Sequence, residues 1–167
     1  MSLKDLVENN KVLKATNWNI DDSMADIYWE QGISQFWTPE EFDISRDLGS
    51  WNKLNKLEQD TYVKVLAGLT GLDTKQSTDG MSLIAHHEPR PKYSSVFSFM
   101  DGMESVHHRS YSHIFTTILN NKETNYLLED WVENEPHLTK KAQYIGYFYD
   151  KLLKPNPTTK ELYMAKV

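Results

Sequence analysis

One unbroken helical seam constrains this chain more than any other feature. From Phe97, the positions Met100, Glu104, His107, Tyr111, Ile114 and Ile118 follow at spacings of 3, 4, 3, 4, 3 and 4. That repeat lines one face of an α-helix, and it predicts a helix from about Tyr93 to Asn120. Within it, Glu104 and His107 stand one turn apart among apolar neighbours. A buried carboxylate or imidazole is costly unless it is paired, hydrogen-bonded or bound to a metal. A Glu-x-x-His pair turned into a bundle core is one way that di-iron and di-manganese carboxylate proteins present two ligands from one helix. Oxygen and imidazole donors suit those metals. A surface salt bridge is the plainer reading of the same pair.

A second helix is expected from about Lys56 to Thr78. Its stripe is Tyr62, Leu66, Leu69, Asp73 and Gln76, again at helical spacing. Asp73 thus falls on an apolar face, which suggests a cation shared with Glu104 and His107; a helix rotated slightly outward would account for it equally well. Tyr111 lies four residues beyond His107 on the same seam. It reads either as a core tyrosine or as one whose hydroxyl finds a metal-bound carboxylate.

The other segments are also helical in pattern. A helix capped by Asp21 or Asp22 runs to about Ser34, with Met24, Ile27, Tyr28 and Ile33 as its apolar positions. Thr38 and Pro39 suit a helix start. Gly80 and the Pro89–Pro91 pair mark a loop. A short helix begins near Thr124. Another starts at Pro136 with Leu138, Ala142, Ile145, Tyr149 and Leu152 on one face, and Lys154-Pro-Asn-Pro157 breaks it. Thr158-Thr-Lys-Glu161 has capping-box spacing. Only six residues follow it, so the pattern reads as a helix cut near its start, in a fold that continues past Val167. Glu161 is assigned to that cap rather than to a metal. His86, His87, His108, His113 and His137 are expected on loops or the surface.

Composition narrows the function class. Acidic residues outnumber basic ones 24 to 18, for a net charge of −6, which argues against a nucleic-acid binder. There is no cysteine, which rules out disulfides, thiolate catalysis and zinc–thiolate sites. No apolar run approaches the roughly 20 residues of a membrane helix. Met1 to Val12 is polar and mixed in charge, unlike a signal peptide. A cytoplasmic location is therefore expected. There is no Gly-rich phosphate loop and no serine nucleophile motif.

Four motifs in order resemble one family. Phe99-Met-Asp-Gly-Met-Glu104-Ser-Val-His107-His-Arg-Ser-Tyr111-Ser resembles the Glu-x-x-His-x-x-x-Tyr motif of the ribonucleotide reductase small subunit. Gly68-Leu-Thr-Gly-Leu-Asp73-Thr-Lys-Gln76 is similar to the segment that carries its first aspartate ligand, and the interval of 31 positions from Asp73 to Glu104 matches as well. Ser34-Gln-Phe-Trp37-Thr-Pro-Glu-Glu41 with Ser45-Arg-Asp47 resembles its N-terminal signature, and Asn134 to Tyr149 its next helix. The short N-terminal extension and the Gly-Leu-Thr segment lean towards the class Ib type, which uses dimanganese or di-iron.

The resemblance implies an all-α, ferritin-like helical bundle. Residues 1–167 would be the N-terminal portion of a single radical-generating domain, incomplete at the C-terminus. It implies that Asp73, Glu104 and His107 are metal ligands, half of the set for a dinuclear iron or manganese centre. Tyr111 would be the tyrosine oxidised to a stable radical, and Trp37 a station on the electron-transfer route; from the residues alone Trp37 reads as a core tryptophan. The implied partners are the large subunit, a second small subunit, and a separate C-terminal half supplying the remaining ligands. A ferritin-like dimetal carboxylate oxidase without reductase activity, or an inactive fragment that binds no metal alone, are the competing readings.

Overall fold

The longest element organises the rest. In a computed structural model that describes residues 15–167, α5 runs from Pro91 to Ile118, about 42 Å at the usual helical rise. It starts with Pro91 in its first turn, where the missing N–H costs nothing, and ends where Leu119 turns extended. The expected seam helix therefore forms, displaced by two residues at both ends. The Met1–Val12 segment read above lies outside the described residues. All regular structure among the described residues is helical, and no helix there is long and apolar enough to cross a membrane.

The chain enters through α1 (Ser23–Ser34), which lies along α5. Its orientation differs from the sequence expectation. Met24, Ile27, Tyr28 and Ile33 are each at least half exposed, whereas Ala25 is fully buried. The reason is the edge that docks. The Asp26 carboxylate accepts two hydrogen bonds from the buried Lys92 ammonium at 2.8 and 2.9 Å. The Trp29 ring packs 5.7 Å from that of Phe99. A side chain at Gly32 would lie only 2.8 Å from the Phe99 ring. Ala25, Trp29 and Gly32 form the inward seam, so the larger apolar residues face away.

Between α1 and the next long helix the chain makes short pieces. At the helix start that Thr38 and Pro39 suit, Pro39–Glu41 forms a single 3-10 turn. A second 3-10 turn (Ile44–Asp47) leads into the short α2 (Leu48–Trp51). Then α3 (Lys56–Lys75) opens with a capping box in which Asn55 and Glu58 satisfy each other's backbone N–H groups. It does not stop in a loop at Gly80. A π-helical turn, Gln76–Gly80, carries it into α4 (Met81–His87), and the break comes at Glu88–Arg90. Here the inward residues of α3 are Val63, Ala67 and Thr70, while Tyr62 and Leu69 are exposed. The stripe bearing Asp73 therefore borders the core rather than centring on it.

The remainder closes over one side. α6 (Asn121–Asn125), a second π-helical turn (Tyr126–Trp131) and α7 (Val132–Asn134) lead into α8 (Pro136–Asp150). A 3-10 turn (Lys151–Leu153) and α9 (Thr159–Lys166) follow. So short a helix is marginal by itself. α9 holds because Leu162 and Ala165 are buried against Met81, Ile84, Tyr149 and Leu152. A second apolar cluster joins Val63, Ala67, Phe115 and Leu127, with Tyr111 and Ile118 packed against it.

Candidate metal centre

Two helices supply the three side chains that the sequence singled out. Asp73 lies near the end of α3, and Glu104 and His107 lie mid-way along α5. The α3–α4 run and α5 pack lengthwise in opposite directions, since Val63 and Ala67 meet Phe115 while Met81 and Ile84 meet Phe97. That antiparallel register sets Asp73 opposite the Glu104–His107 turn. One donor atom from each of the three lies within 4.8 Å of the others. His107 Nδ1 is 3.1 Å from Glu104 Oε2 and 3.7 Å from Asp73 Oδ2. The carboxylates are mostly covered, with 14% and 15% of their side chains exposed for Asp73 and Glu104, and His107 is at 33%.

The electrostatics are those of a cluster short of positive charge. Burial pushes the Asp73 carboxyl up, the Glu104 charge pushes it further, and His107 and His108 act in the opposite sense. Burial also raises the Tyr111 phenol, with the Asp73 and Glu104 charges adding to it. Two carboxylate oxygens and an imidazole nitrogen converging on one point form a donor set that fits manganese or iron. A divalent ion among them would offset the repulsion that the two carboxylates otherwise feel.

Other residues complete the surroundings. Tyr111 packs its ring into the Val63–Phe115 cluster, four residues past His107 on α5. Trp37 stacks on the His107 ring, centroids 5.6 Å apart and planes 24° from parallel, while Phe42 meets it edge-on at 5.4 Å. Nothing in the spacing of positions 37 and 107 signals this contact. The Pro39–Glu41 turn that follows Trp37 is tied to the same helix by an Arg109–Glu40 ion pair at 2.5 Å. A cavity of about 580 Å³, lined by Trp37, Phe42, His107, Tyr111 and Ile114 among others, opens beside the cluster.

The remaining histidines stay outside the cluster. All five lie on helices rather than loops; His86, His113 and His137 are exposed, and His87 and His108 are partly covered. His87 donates from its ring to the Leu152 carbonyl at 2.8 Å. Glu161 caps α9, bonded to Thr158 and Lys154. Sequence reasoning placed Tyr149 on the inward face of α8 but missed its link to the cluster, where burial and then the Glu104 and Asp79 charges raise its phenol.

Comparison with known proteins adds a family. Residues 15–167 match the model of the ribonucleotide reductase small chain. The chain is 43% identical over 148 residues to the ribonucleoside-diphosphate reductase subunit beta of Bacillus phage SPbeta, covering 87% of this chain and 44% of that one. The Bacillus subtilis (strain 168) protein of the same name is 42% identical over 146 residues, covering 86% and 44%. The chain thus spans less than half the length of these relatives. Among solved structures, the dimanganese(II)-NrdF of Streptococcus sanguinis superposes with a TM-score of 0.81 at 37% identity, covering 92% of this chain and 53% of that one. A ribonucleotide reductase R2 subunit from Clostridium botulinum gives 0.78 at 26% identity, with 90% and 47% covered.

Proposed function

Because the chain belongs to the family of ribonucleotide reductase small chains, on its NrdF-type, class Ib branch, we propose that it forms one side of a dinuclear metal centre and carries the tyrosine oxidised there. Asp73, Glu104 and His107 are the ligands from this side, and the remaining ligands come from residues outside this sequence. Manganese is assigned first, after the dimanganese Streptococcus sanguinis relative; iron shares the donor preference. When bound and oxidised by an oxygen species, the metal pair would supply the oxidising power.

The chain's own residues do the rest. Burial and the two nearby negative charges keep the Tyr111 phenol protonated at neutral pH. Loss of an electron from Tyr111 must therefore be accompanied by loss of the proton on its Oη. The apolar cluster of Val63, Ala67 and Phe115 shields one side of the ring from solvent. Trp37, stacked on His107, is the first station by which the oxidising equivalent leaves towards a large subunit. That subunit binds the ribonucleoside diphosphate and reduces it to the deoxyribonucleotide. A second small subunit and cytoplasmic location complete the reading.

The convergence of Asp73, Glu104 and His107 within 4.8 Å is the observation that carries it. Metal analysis and electron paramagnetic resonance test it, on this chain supplied with the residues that complete the ligand set. We expect stoichiometric manganese or iron and a tyrosyl signal after oxidation. Tyr111→Phe should keep the metal and lose the signal. A tyrosyl signal persisting in that variant would overturn the assignment of Tyr111.

A further inference from the structure

The π-helical turn Gln76–Gly80 follows Asp73 by one helical turn and is closed by a bond from the Met81 N–H to the Gln76 carbonyl. Such a turn holds an extra residue relative to an α-turn and often marks a functional position. Against it lies a single aromatic ring. A Cβ added at Gly80 would lie 2.3 Å from Cζ of the Tyr149 ring and 2.8 Å from its Oη. The backbone at Gly80 has a φ of −116°, which any residue can adopt. Glycine is therefore required for space and not for conformation. Tyr149 comes from α8 and is itself buried, among Met81, Ile84 and Leu152. The ring therefore joins the π-turn to α8 and to the apolar cluster around α4.

The phase of the helix explains why this matters. One residue is worth about 100° of rotation. If the π-turn relaxed to an α-turn, everything before it would rotate by about that amount relative to α4. α4 is fixed by Met81 and Ile84 in the apolar cluster. α3 is held further back by Val63 and Ala67 against Phe115, so the mismatch would fall on the stretch between, which carries Asp73. We propose that Tyr149, seated on Gly80, is the positioning residue that holds this widened turn and keeps Asp73 aimed at Glu104 and His107. The proposal rests on the reading of those three residues as metal ligands.

The test uses the full chain with Mn(II) alone as the probe. Tyr149→Ala is expected to weaken Mn(II) binding at least tenfold, and Tyr149→Phe, which keeps the ring, to leave it within twofold. Gly80→Ala should weaken it like Tyr149→Ala. Leu152→Ala, which opens the same apolar cluster away from the turn, should lower the melting temperature comparably yet leave Mn(II) affinity within twofold. In the metal-free chain, the carboxyl carbon resonance of Asp73 should shift in Tyr149→Ala and not in Leu152→Ala. Unchanged affinity and an unchanged Asp73 resonance in Tyr149→Ala, or equal losses in Leu152→Ala, would overturn the proposal. If the unaltered chain takes up no Mn(II) by itself, the affinities are compared on the chain supplied with the residues that complete the ligand set; no Mn(II) there overturns the metal reading, and the Asp73 resonance still decides whether Tyr149 sets the aim of that side chain.

Discussion

Asp73 shows how one residue can oppose folding and serve a site. Its carboxyl is raised by burial and by the Glu104 charge, so the folded chain binds its proton more tightly than the unfolded chain does. For such a group, stability is fully present below the ordinary carboxylate value and declines as pH rises through the raised one. Without metal, Asp73→Asn should therefore stabilise the chain at neutral pH, read as a raised melting temperature in chelator. The same substitution should cost at least a hundredfold in Mn(II) affinity, measured by titration. A fall in both would mean that Asp73 serves packing and not a cation. The sequence made this residue visible because an acid stood on an apolar stripe. It did not reveal that the stripe lies at the edge of the core, since helical spacing defines a face but not which neighbour covers it. Trp37 was hidden for a related reason, as its partner His107 is distant in the chain and only the tertiary fold brings the rings together.

At the scale of elements, α9 is held by an ion cluster as much as by its apolar face. The Glu88 side chain is 1% exposed and is bonded by Arg90 and by Lys166 of α9. Burial alone would raise its carboxyl, but the hydrogen bonds from those two cations override it and hold it at about 2. A depressed value stabilises above the ordinary carboxylate range and is lost as pH falls towards 2. The difference corresponds to on the order of 3 kcal/mol. Protection of the Leu162 and Ala165 amides, taken relative to their intrinsic exchange rates, should therefore fall between about pH 4 and 2, before the rest of the chain opens. Lys166→Met should remove much of that acid step and weaken α9 at neutral pH. Exchange in α9 that tracks global unfolding at every pH would refute the pinning role. Elements were legible where pattern and packing agree, as in α8, whose start at Pro136 and inward Tyr149 are as the sequence implied, although Leu152, expected on the same face, lies in the 3-10 turn just past its end. They were misread where a local signal was overridden. Gly80 reads as a loop by its chemistry, yet the approach of the Tyr149 ring makes it an interior helical position. α1 was turned over because Ala25 and Gly32, too small to register as a stripe, are what fit against α5.

Across the whole molecule, the candidate centre sits between two apolar clusters. One holds Val63, Ala67, Phe115 and Leu127; the other holds Met81, Ile84, Tyr149, Leu152, Leu162 and Ala165. Asp73 lies between Ala67 and Met81 along the first helical run, and Glu104 lies between Phe97 and Phe115 along α5. Here Asp73, Glu104 and His107 stand between the two clusters, while α8 runs beside α3, with Leu138 against Gly68 and Lys75 against Gly146. A cation bound there would join α3 to α5 between the two clusters. Any ligand that binds only the folded state stabilises it by mass action, by about 2.7 kcal/mol at a hundredfold excess over Kd. For a chain of this size that corresponds to a rise in melting temperature on the order of 5–10 °C. The more specific expectation concerns cooperativity. In chelator, amides around Ile84 and around Phe115 should exchange with different opening free energies, because each cluster can open separately. With saturating Mn(II), the two values should converge, and Asp73→Asn should abolish the convergence while leaving each cluster intact. Equal opening energies in chelator would mean that the helices alone couple the clusters, and the centre would then have no part in holding the molecule together.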